Sequence, residues 1–91
     1  MNMKVDVYDT YATSKTGHTI HFDVLLASPS KASSAYEFAL KWLNDIGEKD
    51  AELRQSRCNY CHSENASKAV IVDIESNGFH ILQMEGCPNP R

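Results

Sequence analysis

The chain has 91 residues, enough for one modest hydrophobic core, and its 42% hydrophobic and 23% charged content argue against both intrinsic disorder and a disulfide-dense scaffold. Nine basic residues against twelve acidic ones leave a net charge of -3, and the cations are scattered, so no basic face for nucleic acid is expected. No run approaches the ~20 apolar residues of a membrane span, and the N-terminus lacks an apolar export segment, which together predict a cytoplasmic protein with no membrane partner.

Met3, Val5 and Val7 alternate with Lys4, Asp6 and Tyr8, while Ile20, Phe22, Val24 and Leu26 alternate with His21, Asp23 and Leu25. That period of two marks half-buried strands. The short polar stretch 12–17, ending in Gly17, suits a hairpin loop, so the two strands are expected to pair antiparallel. Symmetric pairing about that loop sets Tyr8 opposite His21 and Asp6 opposite Asp23, on the face away from Val5, Val7, Phe22 and Val24. Asp6, Tyr8, His21 and Asp23 then share a candidate binding patch, where facing aspartates repel and a cation or a held proton relieves the repulsion. The plainer account is a polar face screened by water. Asp9 falls on the side of Val5 and Val7 and reads as a bulge or a turn anchor.

Ser28-Pro29-Ser30 ends the second strand and offers Ser30 as an N-cap. Ala35, Phe38, Ala39, Trp42, Leu43 and Ile46 then recur at helical spacing, and Gly47 supplies a left-handed stop. A third, poorly patterned strand is expected within residues 51–60. Residues 66–77 allow two readings. Val70, Ile71 and Val72 with the following Asn77-Gly78 suit a hairpin strand, whereas an Asn65 cap, one face of Ala66, Ala69, Val70 and Ile74, and a Gly78 stop suit a helix. Phe79 to Glu85 makes a last strand, apolar on both sides and so expected to be central.

Cys58-Asn59-Tyr60-Cys61-His62 gathers two thiols and an imidazole within five residues. Such a Cys-x-x-Cys turn can present both sulfurs to one zinc ion, with Cys87 as a third ligand and His62 or His80 as the fourth. Covalent haem attachment is disfavoured without an export signal. In a dithiol redox alternative, His62 would activate Cys61 and Cys58 would resolve the mixed disulfide. Thioredoxin-like sites place the first cysteine at a helix start, and this pair is not so placed. Trp42, Phe38 and Tyr36 read as core and rim, and no phosphate loop, catalytic Ser/His/Asp order or HExxH pattern is present.

Val7-Tyr8-Asp9-Thr10-Tyr11, His21-Phe22-Asp23-Val24, Trp42-Leu43 with Ile46-Gly47, Cys58-x-Tyr60-Cys61-His62-Ser63 and Met84-Glu85-Gly86-Cys87 span nearly the whole chain. Together they resemble a small family of bacterial single-domain proteins catalogued as domain of unknown function number twenty twenty-four. The resemblance implies an α+β fold in which a helix precedes the last strand, and it implies no activity. The expected architecture is one α+β domain over residues 1–91, ordered ββαβαβ, with 87–91 a loose tail. A four-stranded, mainly antiparallel (mixed) sheet would carry both helices on one face, leaving the other for a homodimer contact. The leading functional expectation is a small intracellular binding or interaction module with a zinc site at the Cys58 loop. A dithiol protein, or a small enzyme using the Asp6, Tyr8, His21 and Asp23 face, is the alternative.

Overall fold

The computed structural model describes residues 2–84, so Cys87 and the expected tail 87–91 lie outside the described residues. Four strands, β1 (Lys4–Thr13), β2 (Thr19–Ala27), β3 (Cys58–Asn65) and β4 (His80–Gln83), form one sheet in the order β3-β1-β2-β4. Helix α1 (Ala32–Asp45) joins β2 to β3, and helix α2 (Lys68–Asn77) joins β3 to β4. This is the ββαβαβ order of the α+β expectation, and every strand pair is antiparallel.

The first hairpin is longer than its alternating core. Thr10, Tyr11 and Thr13 favour extended backbone, so β1 runs on to Thr13 and only residues 14–18 turn. The turn is closed by the Ser14 amide donating to the His18 carbonyl at 2.8 Å, and by the Gly17 amide donating back to Ser14 at 2.9 Å. The resulting register pairs Asp9 with Asp23, Tyr11 with His21, Tyr8 with Val24 and Asp6 with Leu26. The expected pairing of Asp6 with Asp23 and of Tyr8 with His21 is therefore corrected by three residues. An odd shift also exchanges faces, because side chains alternate with a period of two.

On one face, Tyr8, Ala12, Ile20, Phe22 and Val24 pack with Ala35, Ala39, Trp42 and Leu43 of α1. Phe22 and Trp42 meet with ring centroids 4.5 Å apart. Val5, Val7 and Leu25 alternate to the other face, where Ile74 of α2 packs on them with Val70 and Ala66 at its margin. The helices thus flank the sheet on opposite sides, correcting the expectation that both share one face. The connections explain this: α1 returns over β1 to place β3 beside it, while α2 crosses from the β3 edge to the β4 edge. The bare face envisaged for a second copy is consequently occupied in part by α2.

The open choice over residues 66–77 resolves as helix, over Lys68–Asn77. Ser67, rather than Asn65, caps it by accepting from the Val70 amide at 3.3 Å, and Gly78 ends it in the left-handed conformation at φ 89°. Ser30 does not cap α1, since its hydroxyl donates to Asp6 instead, and Lys31 takes the N-cap position. The third strand, expected within residues 51–60, overlaps that window only at 58–60 and follows a 3-10 turn over Gln55–Arg57, so the cysteine motif lies in a strand and not in a loop. β4 is an edge strand, not a central one: Ile81 joins the core, whereas Leu82 is half exposed.

Candidate functional site

Moving along the α2 face from Val7 and Leu25 toward the hairpin turn, the apolar residues give way to Asp9, Tyr11, His21 and Asp23. The cross-strand register that pairs Asp9 with Asp23 and Tyr11 with His21 gathers them in adjacent rows. His21 Nε2 donates to Asp9 Oδ1 at 2.6 Å. One ligand atom from each of Asp9, His21 and Asp23 lies within 4.8 Å of the others. The Tyr11 ring stacks on the His21 imidazole at 4.2 Å with 8° between the planes, and the Arg57 guanidinium lies 5.2 Å from the Tyr11 ring centre. That stack fixes the imidazole plane while leaving Nε2 directed at the carboxylate.

The two carboxyls differ sharply in setting. Asp23 is only 8% exposed, and its Oδ1 is buried with no hydrogen-bond partner. Burial, then hydrogen bonding with Asp9 and the charge of Asp9, push its carboxyl up to about 6, against an opposing pull from His21 and His62. Burial works on Asp9 in the same sense, but its hydrogen bonds with His21 and Asp23 and the His21 charge outweigh this and hold it below the usual carboxylate range. The Tyr11 hydroxyl is raised, by desolvation and by the neighbouring Asp9 charge. One oxygen from each of Asp9 and Asp23 and one nitrogen of His21 thus form a three-donor cluster of the kind that could hold a divalent cation with positions left open.

The structure divides the expected patch. His21 and Asp23 stand on the α2 face, whereas Asp6 and Tyr8 point to the α1 face, so the foursome does not assemble; Asp9 and Tyr11 take the places of the missing two. Asp6 is instead a clamp. Its Oδ1 accepts from the Ser28 hydroxyl and from Ser63 at 2.7 Å, and its Oδ2 accepts from Ser30 at 2.6 Å, tying β1 to β3 and to the segment before α1. Hydrogen bonds from Ser28 and Ser30 lower its pKa, with Ser63 adding to them against the opposing effect of burial. The Tyr8 hydroxyl lies 2.9 Å from Ser30 Oγ and completes this network.

The thiol motif also separates. Cys58 pairs with Thr10 on the α1 face and is buried at 2% exposure, its sulfur 3.5 Å from the Thr10 hydroxyl. Burial pushes this thiol up, partly offset by the Thr10 hydroxyl. Cys61 is exposed. His80 hydrogen-bonds Asp73 at 2.7 Å on β4, at the far edge of the sheet from β3, three strand spacings or about 14 Å away. Among the described residues, the one group of three or more potential metal ligands is Asp9, His21 and Asp23. The resolving role expected of Cys58 does not fit a thiol sealed in the core while Cys61 faces solvent.

Asp9 and Tyr11 were legible only through strand length: the Thr10, Tyr11 and Thr13 run signals that β1 continues, which shortens the loop and sets the register. Among the described residues, no helix is long and apolar enough to cross a membrane. A search of curated proteins gives no match. Among solved structures, the NMR structure of protein NE1680 from Nitrosomonas europaea, a structural genomics target, is similar at 45% identity over 94% of this chain and 100% of that one, with a TM-score of 0.83. The model of the family described as Domain of unknown function (DUF2024) matches residues 3–84, and the chain belongs to that family.

Proposed function

We propose that the protein is a small binding module whose ligand is a divalent metal cation, held by Asp9, His21 and Asp23. The observation that carries this reading is the buried Oδ1 of Asp23, which lacks a partner although it belongs to a carboxyl flanked by a second carboxylate and an imidazole. An unpaired buried acceptor is costly, and a cation both neutralises the aspartate pair and fills the vacant acceptor. One nitrogen and two oxygens suit zinc, which takes imidazole and carboxylate ligands at about 2.0–2.2 Å. Binding would replace the 2.6 Å contact between His21 and Asp9.

Three protein donors leave at least one position open, which fits a site that presents the metal to a further ligand on the sheet face. The Arg57 guanidinium over the Tyr11 ring, which itself stacks on His21, would favour an anionic co-ligand.

Titration of chelator-treated protein with zinc, followed by native mass spectrometry and calorimetry, tests the assignment. One ion per chain is expected, retained in the double variant Cys61→Ser/Cys87→Ser and weakened about 100-fold or more in Asp23→Asn. Zinc binding that survives Asp23→Asn but fails in the cysteine double variant would instead assign the metal to the thiol motif.

A further inference from the structure

β3 is an edge strand, and its pairing with β1 is interrupted. Val7 pairs with His62 and Tyr8 with Tyr60, so Cys61 is an extra residue in a β-bulge. Consecutive side chains on a regular strand point to opposite faces. The bulge removes that separation: His62 Nδ1 lies 3.3 Å from Cys61 Sγ. On its other side, His62 Nε2 lies 2.7 Å from Glu64 Oε1. Thiol, imidazole and carboxylate therefore stand in hydrogen-bonded sequence within the four residues 61–64 of the edge strand, and His62 and Glu64 are each about half exposed at 51%.

The tautomer follows from the order of contacts. Glu64 accepts the Nε2 proton, which leaves the Nδ1 lone pair facing the Cys61 thiol. This is the arrangement of an activated nucleophile, in which a base reaches the sulfur and a third group orients the base. Cys58 has the opposite character, being sealed in the core beside Thr10 with its thiol pushed up by burial.

We propose that Cys61, His62 and Glu64 form a nucleophilic thiol site that exchanges with small-molecule disulfides of the glutathione type. His62 Nδ1 takes the Cys61 proton, and the thiolate attacks one sulfur of the disulfide. The original S–S bond breaks as the Cys61–S bond forms. The departing thiolate recovers the proton from His62, so the Cys61 sulfur is oxidised to the disulfide level while the leaving sulfur is reduced to a thiol. Because Cys58 is buried on the α1 face, it does not displace the adduct; a stable mixed disulfide is the product, a reversible modification in place of an intramolecular redox cycle. His62 contacts the reacting sulfur, whereas Glu64 is a positioning residue. The adduct would sit on the edge strand whose neighbour β1 supplies Asp9 and Tyr11 to the cation site.

The test incubates chelator-treated full-length protein with oxidised glutathione and follows intact mass with peptide mapping, for the wild type and for His62→Gln and Glu64→Gln, each checked for an unchanged melting temperature. The adduct is expected on Cys61, forming at pH 7 about tenfold or more faster than in His62→Gln, with Glu64→Gln between them. Between pH 6 and 8 the His62→Gln rate should climb about tenfold per pH unit, as for an unassisted thiol, while the wild-type rate rises less steeply. Equal rates and equal pH profiles in the wild type and His62→Gln would overturn the proposal. So would an adduct mapped elsewhere, or an internal disulfide from Cys61. Zinc binding by the cation site is independent of each of these results.

Discussion

Asp6 and Asp23 carry the same side chain into opposite environments, one surrounded by hydroxyl donors and the other by a second carboxylate. Their contributions to stability therefore run in opposite directions with pH. Asp23 is raised to about 6 in the folded chain against roughly 3.9 unfolded, so its stabilising contribution is complete below the unfolded value and is lost as pH rises through the folded one. Metal-free Asp23→Asn is accordingly expected to be more stable than the wild type at pH 7.5 by about 2 kcal/mol, several degrees in melting temperature, with the gain vanishing near pH 4. Differential scanning calorimetry at the two pH values checks this; a lower melting point at pH 7.5 would remove the repulsive aspartate pair from the account. The same variant would lose the proposed cation, so on that reading stability and binding trade against each other at one side chain.

Asp6 has a lowered pKa, so its contribution is present above the unfolded value and disappears as acid protonates it in the fold. Asp6→Ala strands the hydroxyls of Ser28, Ser30 and Ser63 together. A loss of about 2–3 kcal/mol at pH 7 is expected in urea unfolding, because hydrogen bonds to a charged group are among the stronger ones. A cost below about 0.5 kcal/mol would show that water satisfies those hydroxyls equally well.

Among the elements, α2 owes its boundaries to two residues. Ser67 accepts the Val70 amide at the start, and Gly78 stops the helix where only a residue without Cβ is comfortable. A Cβ built at Gly78 would also come within 3.2 Å of Phe38 Cζ, on the ring that stacks with Phe79 at 4.6 Å. Gly78→Ala therefore combines left-handed strain with a forced shift of an aromatic pair, and thermal unfolding should show a loss of about 2 kcal/mol. Ser67→Ala removes one cap and should cost about 1 kcal/mol by the same measurement. The bulge in β3 is the element-scale feature with chemical consequence, since it brings two consecutive side chains into contact on a strand that otherwise separates them.

At the scale of the whole molecule, β1 and β2 form the centre of the sheet with a helix on each face, while β3 and β4 are its edges. Local opening should follow that order. Hydrogen exchange is expected to be slowest in β1 and β2 and faster in β3, whose residues after Cys58 are all exposed. Protection in β3 equal to that of β2 would mean that its outer edge is paired in solution. The proposed cation site lies on the two central strands and would inherit their rigidity, whereas the proposed thiol site lies on the edge, where access is greatest.

The amino-acid sequence alone determined β1, β2, α1 and a last strand after Gly78, because the signals for these are local: alternation in Val5 and Val7 and in Phe22 and Val24, helical spacing from Ala35 to Leu43, and left-handed stops at Gly47 and Gly78; residues 66–77 it left open between helix and strand. It also marked His21 and Asp23 as members of a polar group. What it left to the tertiary structure was which residues join them. Alternation says that neighbours face opposite ways but not which strand positions meet, and a cross-strand register three residues from the expected one exchanged Asp6 and Tyr8 for Asp9 and Tyr11. The side chosen by α2 and the bulge at Cys61 were hidden for the same reason. Both are settled by pairing between segments far apart in the chain, and no window of local sequence contains the energy of those contacts.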